Sequence, residues 1–124
     1  MVSSSDEKPV FPSLHFNRLS PAQAESLALL SEECGELQQI IGKILRHGLW
    51  SEHPDTRVPN QHSLTHEVGD VLAALRIAEV QRLIDWGGVV TARDHKLLKV
   101  RRYLHHAKVQ TELPDYRDDS ELDT

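Results

Sequence analysis

Residues 30–37, Leu-Ser-Glu-Glu-Cys-Gly-Glu-Leu, and residues 64–71, Leu-Thr-His-Glu-Val-Gly-Asp-Val, are near copies of one another at an offset of 34. At about 100° per residue, Glu33 and Glu36 share a helical stripe with Leu29 and Ile40, and Glu67 and Asp70 share one with Ala74 and Ile77. Four carboxylates therefore lie on lines that turn apolar within a turn, which predicts that they are partly withdrawn from water. Like charges about 4 Å apart repel by roughly 4 kcal/mol per pair at an effective dielectric near 20. Helices that present these stripes to each other need a cation between them. A single Glu-x-x-Glu would read as a solvated face, the default for Glu. Two copies, both with apolar stripe neighbours and both with a glycine (Gly35, Gly69) beside the last acid, favour convergence. A mid-helix glycine costs about 1 kcal/mol relative to alanine, so the pair is expected to let a helix or a ligand come close. Helical solenoids also repeat at this period, but two copies without their aromatic and proline signature are too few for an array.

The donor types narrow the ion. Four carboxylates with no histidine or cysteine at i+3 favour Mg²⁺, with Mn²⁺ as a substitute, over zinc. Di-iron carboxylate bundles need Glu-x-x-His, and Glu33, Glu67 and Glu79 are followed three residues on by Glu36, Asp70 and Arg82.

The rest of the chain reads as helix. Ser20-Pro21-Ala22-Gln23 combines a serine N-cap, a proline at the first helical position and a glutamine placed for a capping box. Leu27, Leu30, Cys34, Leu37, Ile41 and Ile44 then repeat at three and four residues as one apolar face to about His47, and Gly48 is the stop. Residues 48–62, with Pro54 and Pro59, form a loop longer than a helical hairpin needs. A second helix is expected from about Ser63 to Asp85 on Leu64, Val68, Val71, Leu75 and Ala78, with Trp86-Gly87-Gly88 breaking it. A third is expected from Thr91 or Ala92 to about Val109 on Leu97, Val100, Leu104 and Ala107. Nothing here needs a strand. The expected fold is all-α, a bundle of three main helices completed by oligomerisation. Residues 1–19 read as a lead-in, 20–110 as the helical domain and 111–124 as an acidic flexible tail.

Composition limits the partners. With 124 residues, one domain is expected. Acids exceed bases 19 to 14, yet residues 115–124 carry five acids and one base, and residues 1–13 carry two and one. Residues 14–114 are left with 12 of each, so the surplus sits at the ends. Sequence-independent nucleic-acid binding is a poor expectation for such a chain. Cys34 is the sole cysteine, which excludes an internal disulfide and a multi-cysteine zinc cage. No apolar run is long enough to span a membrane, and the N-terminus lacks signal-peptide order, so a cytoplasmic location is expected. With 39% hydrophobic and 5% aromatic residues the core is modest, which points to a homodimer or homotetramer.

Glu32-Glu33-Cys34-Gly35-Glu36 followed by Glu67-Val68-Gly69-Asp70 resembles the Glu-Glu-x-x-Glu and Glu-x-x-Asp signature of the MazG-like all-α nucleoside triphosphate pyrophosphohydrolases, relatives of dimeric dUTPases and phosphoribosyl-ATP pyrophosphatases. Residues 43–48, 70–74 and 99–106 are also similar to small members, so the resemblance covers residues 20–107. The 30 residues between Glu36 and Glu67 make a longer connection than the family usually has. The resemblance implies that Glu33, Glu36, Glu67 and Asp70 hold Mg²⁺. It also implies that Glu32 assists through a second ion or the attacking water, making Glu32 and Glu33 the catalytic pair. The implied reaction is hydrolysis of a nucleoside triphosphate between its α and β phosphates. Phosphoryl transfer needs charge neutralisation and in-line positioning more than a covalent nucleophile, which suits this residue set.

Candidate phosphate contacts are Lys43, two turns after Glu36, and Arg46, with Lys96, Lys99 and Tyr103 as a stripe on the third helix. A basic solvated face is the competing reading for the last three. Trp50 or Trp86 stacks on a base or packs in a core or interface. Asn60 reads a base or caps the second helix. Cys34 is expected in the core. Competing functions are a narrow-specificity enzyme for dUTP or phosphoribosyl-ATP, a non-catalytic helical module stabilised by metal, and a nucleic-acid module using the basic third helix.

Overall fold

The computed structural model describes residues 17–107, and the greater part of the lead-in and the whole acidic tail lie outside them. The described residues form three helices and no strand, the all-α fold expected: α1 (Pro21–His47), α2 (Asn60–Val80) and α3 (Trp86–Val100). The chain divides between Ile84 and Asp85 into two units, the first holding α1 and α2 and the second α3. No helix among the described residues is long and apolar enough to cross a membrane.

The start of α1 follows its local chemistry. Gln23 N–H donates to Ser20 Oγ and Ser20 N–H donates to Gln23 Oε1, both at 3.1 Å, closing the capping box ahead of Pro21. Gly48 ends the helix at φ 98°, and its N–H donates to Ile44 O at 2.7 Å. The side-chain amide of Gln23 also donates to Gln81 O at 3.1 Å, tying the start of α1 to the end of α2. The two helices pack side by side.

The face that α1 buries only partly matches the one its apolar periodicity suggests. Ser26 and Ile40 are its buried residues, with the half-buried Glu33 midway between them at seven-residue spacing. Of the apolar stripe, Leu30, Leu37 and Ile44 are half-buried, whereas Leu27, Cys34 and Ile41, one residue further round from the buried line at each step, are exposed. Cys34 is thus a surface thiol, not a core residue. On α2 the matching stripe is Asn60, Glu67 and Ala74, followed by Ala78. Small Ala74 and Ala78, at 1% and 0% exposure, let α1 come close at the end of α2 that the Gln23 to Gln81 hydrogen bond joins to the start of α1. The acid stripes are therefore at the centre of the contact, with one edge of the aliphatic face beside them.

Both ends of α2 differ from expectation. It begins at Asn60, three residues early, behind Pro59 as N-cap with no side-chain cap. The connecting loop does the holding instead. Asn60 N–H donates to Ser51 O, Gln61 N–H to Leu49 O, and the Asn60 side-chain amide to Gly48 O at 3.0 Å. Asn60 is 3% exposed, so its amide is spent on this anchor and is neither a base reader nor the N-cap. Inside the loop, His53 Nδ1 accepts from the N–H groups of Asp55 and Thr56, and a single bridge pairs Glu52 with Pro59. α2 stops at Val80, five residues early. Leu83 N–H donates to Ala78 O and Arg82 N–H to Glu79 O, the two hydrogen bonds of a Schellman ending with Arg82 at φ 59°. An arginine in the left-handed region gives no glycine signal.

In the second unit, Asp85 caps α3, accepting from Gly88 N–H at 3.0 Å. Trp86, Gly87 and Gly88, expected to be a break, are its first turn, because the Asp85 carboxylate takes an N–H that would otherwise lack a partner. α3 ends at Val100, so Tyr103 lies past the helix.

Candidate metal centre

Glu33, Glu36, Glu67 and Asp70 each place one carboxylate oxygen within 4.8 Å of the others. The near repeat produces this directly. Each motif sits mid-helix with its two acids one turn apart, and the packing of α1 on α2 turns the two pairs toward each other. All four are half-buried, as their apolar stripe neighbours predict. Glu33 Oε2 and Glu67 Oε2 are sealed from solvent and accept no hydrogen bond. Buried carboxylate oxygens without donors are uncommon and call for a missing counterpart.

The electrostatics agree. Partial burial raises the pKa of Glu33 above the usual 4.5, and the charges of Glu36, Asp70, Glu32 and Glu67 push it further. Burial likewise raises Glu67, followed by the charge of Glu36 and a hydrogen bond with its carboxyl, then by Asp70, with His66 opposing. His66 Nε2 lies 3.5 Å from Asp70 Oδ2, one turn away on α2. Without a cation, the cluster holds four acids whose ionised forms repel.

The residues fit a hard divalent cation. All four donors are oxygens, two of them shielded and unpartnered. They lie within 4.8 Å of one another, the scale of the oxygen shell around such an ion.

Two grooves open along the helix pair. One, of about 270 Å³, is lined by Glu36, Gln39, Ile40, Lys43, Ser63 and Glu67. The other, of about 390 Å³, is lined by Glu25, Ser26, Ala28, Leu29, Glu32 and Ile77. Glu32 is exposed and stands in the second groove, outside the group of four, although its charge acts on Glu33. Lys43 lies in the first groove, whereas Arg46 is exposed, with Nη1 3.4 Å from where a Cβ on Gly42 would sit. Lys96 and Lys99 are exposed on α3, and Tyr103 is exposed beyond it. Trp50 is 70% exposed.

Gly35 and Gly69 do not serve a close approach within the described residues, since an added Cβ would meet nothing within 4 Å at either. Gln39 and Ser63 were not singled out by sequence, although each stands one turn from a motif acid. His66 was missed as well, and its i,i+4 spacing to Asp70 was the available signal. No protein-family model matches this chain, and neither does any curated protein or solved structure.

Proposed function

We propose that this chain is a Mg²⁺-dependent nucleotide pyrophosphohydrolase that cleaves nucleoside or deoxynucleoside triphosphates between the α and β phosphates, giving a monophosphate and pyrophosphate. The observation that carries the reading is the convergence of four carboxylates from two helices with two shielded oxygens unpartnered. The resemblance of residues 32–36 and 67–70 to the MazG-like signature supplies the reaction.

Glu33, Glu36, Glu67 and Asp70 would hold the ion. A bound Mg²⁺ neutralises phosphate charge and acidifies coordinated water. Glu32, exposed beside Glu33 and outside the ligand set, would take the proton of the attacking water as its oxygen bonds to the α-phosphorus. The bond from the α-phosphorus to the bridging oxygen breaks, and pyrophosphate leaves with the electron pair.

Assembly into a homodimer or homotetramer belongs to this proposal. The buried apolar residues among those described are Ile40, Ala74 and Ala78, while Leu27, Ile41, Leu45, Val68 and Val80 stay exposed. Analytical ultracentrifugation tests it, and a monomer at all concentrations removes it.

The deciding experiment measures pyrophosphate release from a panel of NTPs and dNTPs. Turnover is expected with Mg²⁺, absent with chelator and absent in Glu67→Gln. A Mg²⁺-dependent rise in melting temperature without turnover on any substrate would leave the non-catalytic, metal-stabilised module in its place.

A further inference from the structure

The groove of about 270 Å³ shares Glu36 and Glu67 with the carboxylate cluster, one from each helix. A ligand held on the cluster therefore continues into this groove. Its other polar lining residues are Gln39 and Lys43, one turn apart on α1, and Ser63, one turn before Glu67 on α2. All three can donate hydrogen bonds, and Lys43 can only donate. Among the described residues, none of these three side chains has a hydrogen-bond or ion-pair partner. They are carried on helices rather than on loops, which fixes their spacing.

The second groove is the opposite in character. Its charged residues are Glu25 and Glu32, and it has no cation. Of the two, the first alone offers an oxygen-rich ligand end unpartnered donors, since Ser26 in the second donates to Ala22 O. Charge adds a condition. Four carboxylates beside one ammonium leave the metal-free groove negative, so an anion enters it only with a divalent cation on the cluster.

We propose that Gln39, Lys43 and Ser63 form a recognition subsite that donates hydrogen bonds to an oxygen of the ligand held on the carboxylate cluster, supplied by a phosphate or by a base carbonyl. This rests on the metal-dependent reading above and adds to it the residues that select the ligand.

The test measures binding to the full chain by calorimetry, with Mn²⁺ alone, then with inorganic pyrophosphate and the α,β-imido analogues of the four dNTPs in saturating Mn²⁺. Native protein, Lys43→Met and the double variant Gln39→Ala/Ser63→Ala are compared, with circular dichroism confirming fold. Mn²⁺ affinity is expected to stay within twofold in both variants, while ligand affinity falls tenfold or more in Lys43→Met and severalfold in the double variant. If the oxygen is a phosphate's, pyrophosphate and all four analogues weaken together. If it is a carbonyl's, pyrophosphate is untouched and the analogues with a carbonyl-bearing base weaken while the adenine analogue does not. Ligand affinities within twofold of native in both variants overturn the subsite, as does native protein that binds Mn²⁺ but none of the ligands. Failure of native protein to bind Mn²⁺ is a separate result, which removes the metal centre itself.

Discussion

α1 and α2 carry the same acid motif and face each other, yet they are held in place by different means. α1 is bounded by residues adjacent to it in sequence, the Ser20/Gln23 capping box at one end and Gly48 at the other. α2 has no side-chain cap at its start, where Asn60 reaches across the loop to Gly48 O, and it stops on Arg82 in the left-handed region. The motifs differ in a parallel way. Glu33 is preceded by Glu32, which adds to the repulsion, and Glu67 by His66, which opposes it and pairs with Asp70. One half of the cluster is uniformly acidic, and the other sets an imidazole beside Asp70.

If both halves serve one ion, they must be equally necessary despite that asymmetry, and this carries the largest expected effect. At a cation concentration 100 times the dissociation constant, a site on the native state adds about 2.7 kcal/mol, which for a chain of this size is a melting-temperature rise on the order of 10 °C. Glu33→Gln and Glu67→Gln are each expected to abolish the rise with Mg²⁺ or Mn²⁺ in differential scanning fluorimetry. A variant of one helix that keeps the full response would show that the ion belongs to the other helix alone.

The same carboxyls set a pH dependence of known sign. Their pKa values are raised in the folded protein, so it binds their protons more tightly than the unfolded chain does. Their contribution to stability is fully present below the unfolded value near 4.5 and is lost as pH rises through the raised folded values. Metal-free native protein is therefore expected to lose melting temperature relative to Glu67→Gln as pH climbs from 4 to 7, and saturating Mg²⁺ should reverse the order at pH 7. Parallel pH curves for the two proteins without metal would mean that Glu67 does not feel the cluster.

The difference in how the helices are bounded explains what the sequence could convey. The limits of α1 are legible almost to the residue, because its cap residues act on N–H groups within three positions of themselves. α2 is displaced by three residues at its start and five at its end, because the determinants are a hydrogen bond between residues 12 apart and an arginine where glycine is usual. The cluster was legible, since carboxylates on apolar stripes reveal burial through helical periodicity alone. The centre of the face α1 buries lies one residue round from the aliphatic stripe for a related reason. Aliphatic periodicity marks every apolar face, and only the matching acids and alanines on α2 decide which one meets it.

That contrast predicts unequal costs at the two helix starts. Asn60→Ala removes the bond to Gly48 O, about 0.5–1.5 kcal/mol, and with it the packing of a side chain at 3% exposure, so it costs more than the bond alone. Ser20→Ala removes one capping bond, at about 1 kcal/mol. Urea unfolding of both variants measures the difference. Equal costs would mean that the loop adds nothing to the start of α2 beyond what a local cap supplies.

The smallest effect tests whether the two copies remain equivalent at their shared glycines. A Cβ at Gly35 or Gly69 meets nothing within 4 Å, and both sit mid-helix with ordinary backbone angles. Gly→Ala at such a position lowers the entropy of the unfolded chain, so Gly35→Ala and Gly69→Ala are each expected to add about 0.4–1 kcal/mol in urea unfolding. Metal binding is the second readout, because open space in one chain can be space that a ligand or a second copy fills. If either variant gains stability yet loses Mn²⁺ affinity or changes its sedimentation, that glycine is kept bare for an approach from outside the helix pair. If both gain stability and keep both properties, the glycines serve neither the ion nor assembly.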